Sequence, residues 1–583
     1  MVFIAPPWVP ELPAVPDTVP IPEFLFEEKH GRAPLATSLD PYVDGLSGRR
    51  ITPQEQKQRV TYLARSLAKE LGWEVNQGAE LSKVAAVFAL NTIDVPTINW
   101  AIHRLNGVSS PVNAIYNATE LAHQLVGAGA QALFTVLPLL EVALKGAKQA
   151  GIRRSKIFIC EMPGDDPSTY PPDLKTVFQL VETGKSLPDL PPIKWESGQG
   201  AHQIAFLCYS SGTSGLPKGV MISHRNVIAN VIQISTFESK MRHALGGSDH
   251  RDVALGLLPQ SHIYGLVVIS HVSMYRGDSV VILPRFDLTH YLSSIQNYAI
   301  TTLYLVPPII ITMVKNQQLC STYDLSSVKM IFTGAAPLGE ETAKEMNKQY
   351  PSWALRQGYG TTETCTVVTS SIPDDLWFGS SGSILPGFVA RIISPEGREI
   401  VGHDEPGELL VKSPSITLGY LNNETATRET YVELQDGRYM RTGDEVVVRK
   451  APSGNEHFWI VDRIKELIKV KGHQVAPAEL EACLLTHPAV ADCAVIPISD
   501  DAAGEVPKAY VVKAVAASDS DPKLRRDIQE HVAKEKADYK RLRGGIEFID
   551  IIPKSPSGKI LRRLLRDRER ARAQGQDPAT AKL

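Results

Sequence analysis

Paired cysteines are missing from this chain. Its six cysteines, at 160, 208, 320, 365, 483 and 493, stand singly with no CxxC spacing, and no HExxH string occurs. This pattern argues against a disulfide framework and a structural zinc site, and a reducing compartment fits. Charge of one sign is equally scarce: the formal net charge is -3, too little basic surface for a nucleic-acid partner. The longest nearly apolar run, Thr301 to Val314, is too short for a bilayer and is interrupted by Pro307-Pro308, so no membrane span is expected. The N-terminal MVFIAPPWVPELPAVP is proline-rich and lacks the basic residues that open a secretory signal. No GxxxxGK[ST] P-loop is present, and no internal repeat is visible.

What is present is an ordinary globular composition, 43% hydrophobic and 21% charged, over 583 residues. That length exceeds what one core serves, so at least two domains are expected. From residue 57 helical and strand-like runs alternate: Lys57 to Trp73, Val84 to Leu90, Pro96 to Asn106, Leu121 to Gly127, Ala132 to Val136, a helix to Ala150, then Ile157 to Cys160. This predicts an α/β fold with parallel strands and a sheet covered on both faces. Residues 161–200, rich in proline and acids, read as a surface excursion. The glycine-punctuated alternation from Arg391 to Asp444 predicts a β subdomain. A short α+β domain then follows Val461-Asp462-Arg463-Ile464-Lys465, which divides the chain into residues 1–462 and 463–583.

The most informative stretch is Tyr209 to Asn226, YSSGTSGLPKGVMISHRN. A strand-like run, Ile204 to Cys208, breaks into Ser210, Ser211, Gly212, Thr213, Ser214 and Gly215, then reaches Lys218. Glycines let backbone N–H groups turn towards one anion, hydroxyls add donors, and the ammonium supplies a point charge, so the ligand is expected to be a polyphosphate. Three further strand ends run into polar or small residues: Val253 to Leu258 into PQSHIYG, Val328 to Thr333 into Gly334-Ala335-Ala336-Pro337, and Ala354 to Gln357 into GYGTTE. Ligands of open α/β sheets sit beyond the carboxyl ends of strands, so four such junctions point to one pocket.

The Tyr209–Asn226 string resembles the phosphate loop of the acyl-adenylate-forming family, which includes acyl-CoA synthetases, 4-coumarate-CoA ligases, firefly luciferase and peptide-synthetase adenylation domains. The resemblance covers roughly residues 50 to 570. It implies ATP, Mg²⁺ and CoA as ligands, a large N-terminal lobe of α/β sheets with a β subdomain, and a small mobile α+β C-terminal domain. Lys559, in PKSPSGK, resembles the lysine that bridges the substrate carboxylate and the α-phosphate. Glu363 resembles the Mg²⁺ carboxylate, Tyr359 the residue stacked on adenine, and Thr362 a donor to the α-phosphate. Gln357 and Gly358 would line the nucleotide side and Ala335 the opposite wall. Asp444 matches the acid that accepts the ribose hydroxyls, with Arg463 as its helper, and Lys465 matches the hinge. Rotation there would exchange Lys559 for the loop carrying Lys469, Lys471, Gly472 and Gln474 towards acyl-AMP and CoA. Arg285 stands where relatives place a CoA-contacting cation. His262, with Tyr264, Val306, Cys365 and Val367, would border the acyl pocket.

Ser261 and Thr366 depart from the aromatic residue and the proline common among relatives, which sets 4-hydroxycinnamate aside as the substrate. The expected reaction joins an aromatic or medium-chain carboxylic acid to CoA through acyl-AMP. The alternatives are an enzyme that loads a carrier protein, a luciferase-like oxygenase, and a non-enzymatic nucleotide-binding protein. The ending Ala581-Lys582-Leu583 is close to the SKL address, which implies an import receptor and a peroxisomal location; otherwise the expectation is cytoplasmic.

Overall fold

The computed structural model describes residues 2–210, 217–500, 502–514, 520–555 and 558–573. Ser211, Gly212, Thr213 and Ser214 of the phosphate loop and the Ala581-Lys582-Leu583 ending lie outside them. The described residues form a mixed α/β structure, with a large N-terminal domain and a smaller C-terminal one.

Alternation along single strands builds the first layer. In Val84–Phe88, Ala85 and Val87 point to one apolar cluster while Ala86 and Phe88 point to another. This is the period-2 pattern of a strand buried on both faces. One face receives Pro53–Leu71, through Leu63 and Leu67, and Val95–Arg104, through Ile98 and Ile102. The other receives Ala118–Ala128 and Leu140–Gln149. Among the described residues this sheet has eight strands, and it runs from Lys175–Thr176 at one edge to Ile204–Ser210, Lys218–Ser223 and Gly419–Tyr420 at the other.

The strands of the large lobe divide between two such sheets, a division that the alternation alone does not specify. Val253–Gly256, Thr302–Leu305, Met330–Thr333 and Ala354–Thr361 belong to a second, nine-stranded sheet, parallel through its centre. The phosphate-loop strand Ile204–Ser210 thus faces the other three junctions across a sheet-to-sheet boundary. Periodicity reports which faces of a strand are buried and says nothing of which strand lies beside it.

Residues 161–200 also depart from the expected surface excursion. Thr176 caps a helix, Val177–Lys185, in a reciprocal box with Gln179, and Val177, Leu180 and Val181 are buried. Ser66 Oγ donates to the Leu180 carbonyl at 2.6 Å, tying this helix to Pro53–Leu71.

Residues 389–463 form an antiparallel six-stranded sheet among the described residues. Beyond it a separate core gathers Ile468, Leu480, Val495, Val511 and Ile528 around the long pair Val490–Asp500 and Gly504–Lys513. Among the described residues no helix is long and apolar enough to cross a membrane.

Candidate active site

The two sheets point their carboxyl ends at a common cleft, and Glu363 sits on its floor. Ala354–Thr361 does not break into a loop at Gly358: it continues to Thr361 and pairs antiparallel with Thr366–Ser370. Gly360 is required there, because a Cβ would lie 1.5 Å from the Thr366 carbonyl. A short turn, Thr362–Thr364, then presents Glu363. The Glu363 carbonyl accepts from both N and Oγ1 of Thr417, each at 3.0 Å. Its carboxylate Oε1 accepts from Ser210 Oγ at 3.2 Å and from Tyr420 OH at 2.9 Å. Lys218 Nζ lies 5.2 Å from the centroid of the same Tyr420 ring.

Among the described residues Glu363 forms no ion pair, its side-chain partners being neutral hydroxyls. A half-buried carboxylate with no direct ion pair among the described residues, beside the strand that leads into the phosphate loop, suits a hard divalent ion that takes few protein ligands. The donor set therefore fits Mg²⁺.

Asp444 occupies the next position along the cleft. Tyr359 OH donates to its Oδ2 at 2.5 Å, and Arg463 Nε lies 3.4 Å from Oδ1. Burial raises the Asp444 pKa, while Arg463, the Tyr359 hydrogen bond and Lys559 oppose the rise. Gln357 is held from both ends, its N–H donating to Ser371 Oγ at 2.9 Å and its Nε2 to Ser381 Oγ at 3.4 Å. Gly358 and Thr362 lie on either side of Tyr359 along this segment, and Ala335, exposed and left-handed at φ 69°, ends the neighbouring strand.

On the other wall His262 Nδ1 accepts from the Tyr264 N–H at 3.3 Å, which leaves Nε2 to carry the proton of the neutral ring. Burial, helped by the Lys559 charge, pushes its pKa down to about 4. Tyr264 opens a buried π-helix, Tyr264–Val272, and its hydroxyl donates to the Phe332 carbonyl at 2.7 Å. Such segments occur often at functional sites. Val306, Cys365 and Val367 are buried nearby.

Lys559 reaches this cleft from the C-terminal domain. Two flanking pairs bring the lysine back beside the incoming chain: Lys554 bridges Ile560, and Ser555 N donates to the Lys559 carbonyl at 2.8 Å. Gly558, at φ 81°, presses so close to the large domain that a Cβ there would lie 3.3 Å from Val306 and 3.4 Å from Pro308. Burial lowers the Lys559 pKa to about 8; Arg463 pushes the same way, and Glu466, Asp444 and Glu363 oppose it. Three residues on, buried Arg562 pairs with Glu466 at 2.6 Å and with Glu481 at 2.6 Å. A second tie between the domains is Lys315, whose Nζ donates to the Val490 and Ala491 carbonyls at 2.8 and 3.3 Å.

The structure thus gathers Ser210, Lys218, His262, Tyr359, Glu363, Asp444, Arg463 and Lys559. It does not bring in Lys469, Lys471, Gly472 or Gln474, which are exposed on the hairpin Ile468–Val475, nor Lys465, exposed just before it. Arg285 is exposed at the end of Ser279–Ile282. Sequence reasoning missed Thr417, Tyr420 and Arg562. Arg562 carries a faint signal, a cation three residues after a glycine-lysine turn; Thr417 and Tyr420 carry none without the tertiary pairing.

The AMP-binding enzyme family model matches residues 26–421, and the AMP-binding enzyme C-terminal domain model matches residues 479–559. An acyl-CoA ligase of Alternaria alternata is 40% identical over 593 residues, covering 100% of both chains. An acyl-CoA ligase of Emericella nidulans is 38% identical over 571 residues, 97% of this chain and 100% of its own. In fold, the chain resembles an anthranilate CoA ligase solved with anthranoyl-AMP, at a TM-score of 0.78 and 23% identity, over 96% of this chain and 99% of that one. With one family model over most of the large domain and a full-length relative at 40% identity, the protein belongs to the AMP-binding enzyme family.

Proposed function

We propose that the chain is an ATP-dependent carboxylate-CoA ligase. In the first step a carboxylate oxygen attacks the α-phosphorus of ATP, giving acyl-AMP and pyrophosphate. In the second the CoA sulfur attacks the acyl carbon and AMP departs. The observation that carries the reading is the seating of Gly558, beside Lys559, against Val306 and Pro308, with Lys559 in the field of Asp444 and Glu363.

The chemistry needs that cation. Two unit anions about 4 Å apart repel by roughly 4 kcal/mol at an effective dielectric of 20, and an ammonium at a similar distance offsets a comparable amount. Lys559 supplies it between carboxylate and α-phosphate, while Lys218 and the Ser210–Ser214 loop hold the outer phosphates. Asp444 takes the ribose hydroxyls, oriented by Arg463, with the Tyr359 ring beside the adenine and Thr362 donating to the α-phosphate. Bound Mg²⁺, held by Glu363, would offset the triphosphate charge and leave pyrophosphate a better leaving group. Neutral His262 borders the acyl pocket without adding a second positive charge, and Tyr264, Val306, Cys365 and Val367 give that pocket an apolar lining. We place the domain boundary at Asp462 and Arg463 and the hinge at Lys465, about which Lys469, Lys471, Gly472 and Gln474 would replace Lys559 for the CoA step, with Arg285 on the CoA side.

The acid is proposed to be aromatic or medium-chain. Acid-dependent pyrophosphate release over a panel of carboxylates, followed by CoA-dependent AMP release, tests the reading. Activity on no acid would overturn it, and AMP release that ignores CoA would favour transfer to a carrier protein. The Ala581-Lys582-Leu583 ending supports delivery to peroxisomes, which is tested by whether removing those residues redistributes a fluorescent fusion.

A further inference from the structure

Glu363 and Lys218 come from different sheets, yet one side chain touches both. Tyr420 lies on the two-residue strand Gly419–Tyr420, paired antiparallel with Lys218–Ser223 so that Tyr420 faces Val220. Flanking bonds clamp the pairing: Leu418 N donates to the Met221 carbonyl at 3.0 Å and Leu421 N to that of Gly219 at 2.8 Å. The buried Tyr420 ring then reaches across to Glu363, donating to Oε1, and lays its face under the Lys218 ammonium. Thr417, three residues earlier, grips the Glu363 main chain. With Oε1 taken by Tyr420 and Ser210, Oε2 accepts no hydrogen bond among the described residues.

We propose that Tyr420 is a positioning residue for ATP binding: its hydroxyl fixes the Glu363 carboxylate so that Oε2 meets the divalent cation, and its ring seats Lys218 over the same phosphates. The inference rests on the reading of Glu363 as the cation's carboxylate. Hydrogen bonds to ligating carboxylates orient them, and losing such a partner typically lowers metal affinity 10- to 100-fold. A cation over an aromatic face is attracted by the ring itself, which needs no hydroxyl. The two roles therefore separate by substitution.

Tyr420→Phe keeps the ring and removes the donor; Tyr420→Leu removes both. The full-length protein is titrated with ATP by calorimetry at a series of MgCl₂ concentrations without acid, and with AMP in the absence of metal. Tyr420→Phe is expected to raise the Mg²⁺ concentration for half-maximal ATP binding about 10-fold, with AMP affinity and melting temperature retained. Tyr420→Leu is expected to weaken ATP binding further, even at saturating Mg²⁺. An unchanged Mg²⁺ response in Tyr420→Phe, or a parallel loss of AMP affinity, overturns the positioning role of the hydroxyl. Equal ATP affinities of the two variants at saturating Mg²⁺ overturn the role of the ring. Wild-type ATP binding indifferent to Mg²⁺ would instead sink the reading of Glu363, and this inference with it.

Discussion

Asp444 and Arg463 face one another across adjacent antiparallel strands, and each carries the other into the cleft. Arg463 opposes the burial-driven rise in the Asp444 pKa and pushes that of Lys559 down, so one guanidinium acts on both the acid proposed to take the ribose and the lysine proposed for adenylation. Removing Asp444 leaves Arg463 without its ion-pair partner and, on the proposed role, the ribose without its acceptor. Hydrogen bonds to charged groups are worth about 1.5–3 kcal/mol, or about 10- to 100-fold. Asp444→Ala is therefore expected to raise KM for ATP by that factor in pyrophosphate exchange; an unaltered KM would contradict the assignment.

Lys559→Ala is expected to lower acyl-AMP formation by roughly 10²-fold or more, as the loss of a preorganised charge does elsewhere. Conversion of supplied acyl-AMP and CoA to thioester should survive. Single-turnover assays of the two half-reactions decide, and equal loss of both would sink the role given to this lysine.

The acidity of the same side chain sets a pH dependence. A pKa lowered to about 8 means that the ammonium is present below that value and is lost above it. The adenylation kcat/KM should thus hold from neutral pH and fall as pH rises through about 8, while Lys559→Arg moves the fall upward or abolishes it. His262, near 4, is neutral throughout this range and should leave no inflection.

Lys315 holds the start of the strand Val490–Asp500 in the arrangement that seats Lys559 in the cleft. Lys315→Ala should slow adenylation about 10-fold and spare the thioester step, since hydrogen bonds to charged groups are worth about 1.5–3 kcal/mol. Slowing of both steps to the same extent would show a loss of fold instead.

Three histidines in the large core add an acid sensitivity. His103, His224 and His271 are buried, and burial lowers the pKa of each, to about 3 for His103 and about 4 for His271. His271 Nε2 accepts from Trp100 Nε1 at 3.1 Å, a bond that protonation would remove. The unfolded chain takes up these protons near pH 6.5 and the folded one far lower, so stability is full above that value and declines below it. Melting temperature should drop as pH falls from about 6.5 to 4, and less steeply in His271→Gln.

The sequence was most legible where one segment carries its whole function. The strand ending at Ser210, the turn bearing Glu363 and the glycine-lysine pair at Lys559 can each be found from hydroxyls, glycines and a charge in a row. Val177–Lys185 was legible in principle, through its capping box, but lay hidden among prolines. Other features exist only between segments. The division into two sheets depends on lateral neighbours, which alternation leaves unspecified. Tyr420 gains its contacts from a strand two residues long, far below the length at which any period can be read. Arg562 becomes informative only once Glu466 and Glu481 are seen to converge on it.

That last convergence bears on how the enzyme must turn over. Arg562 is paired with Glu466, beside the proposed hinge at Lys465, and with Glu481 on a helix of the small domain, which ties the chain just after Lys559 to that domain. To vacate the cleft, the whole terminal module has to travel. On the proposed hinge motion the second half-reaction would wait on a displacement of the domain, and its rate should fall with solvent viscosity, where a loose loop would merely have flicked aside.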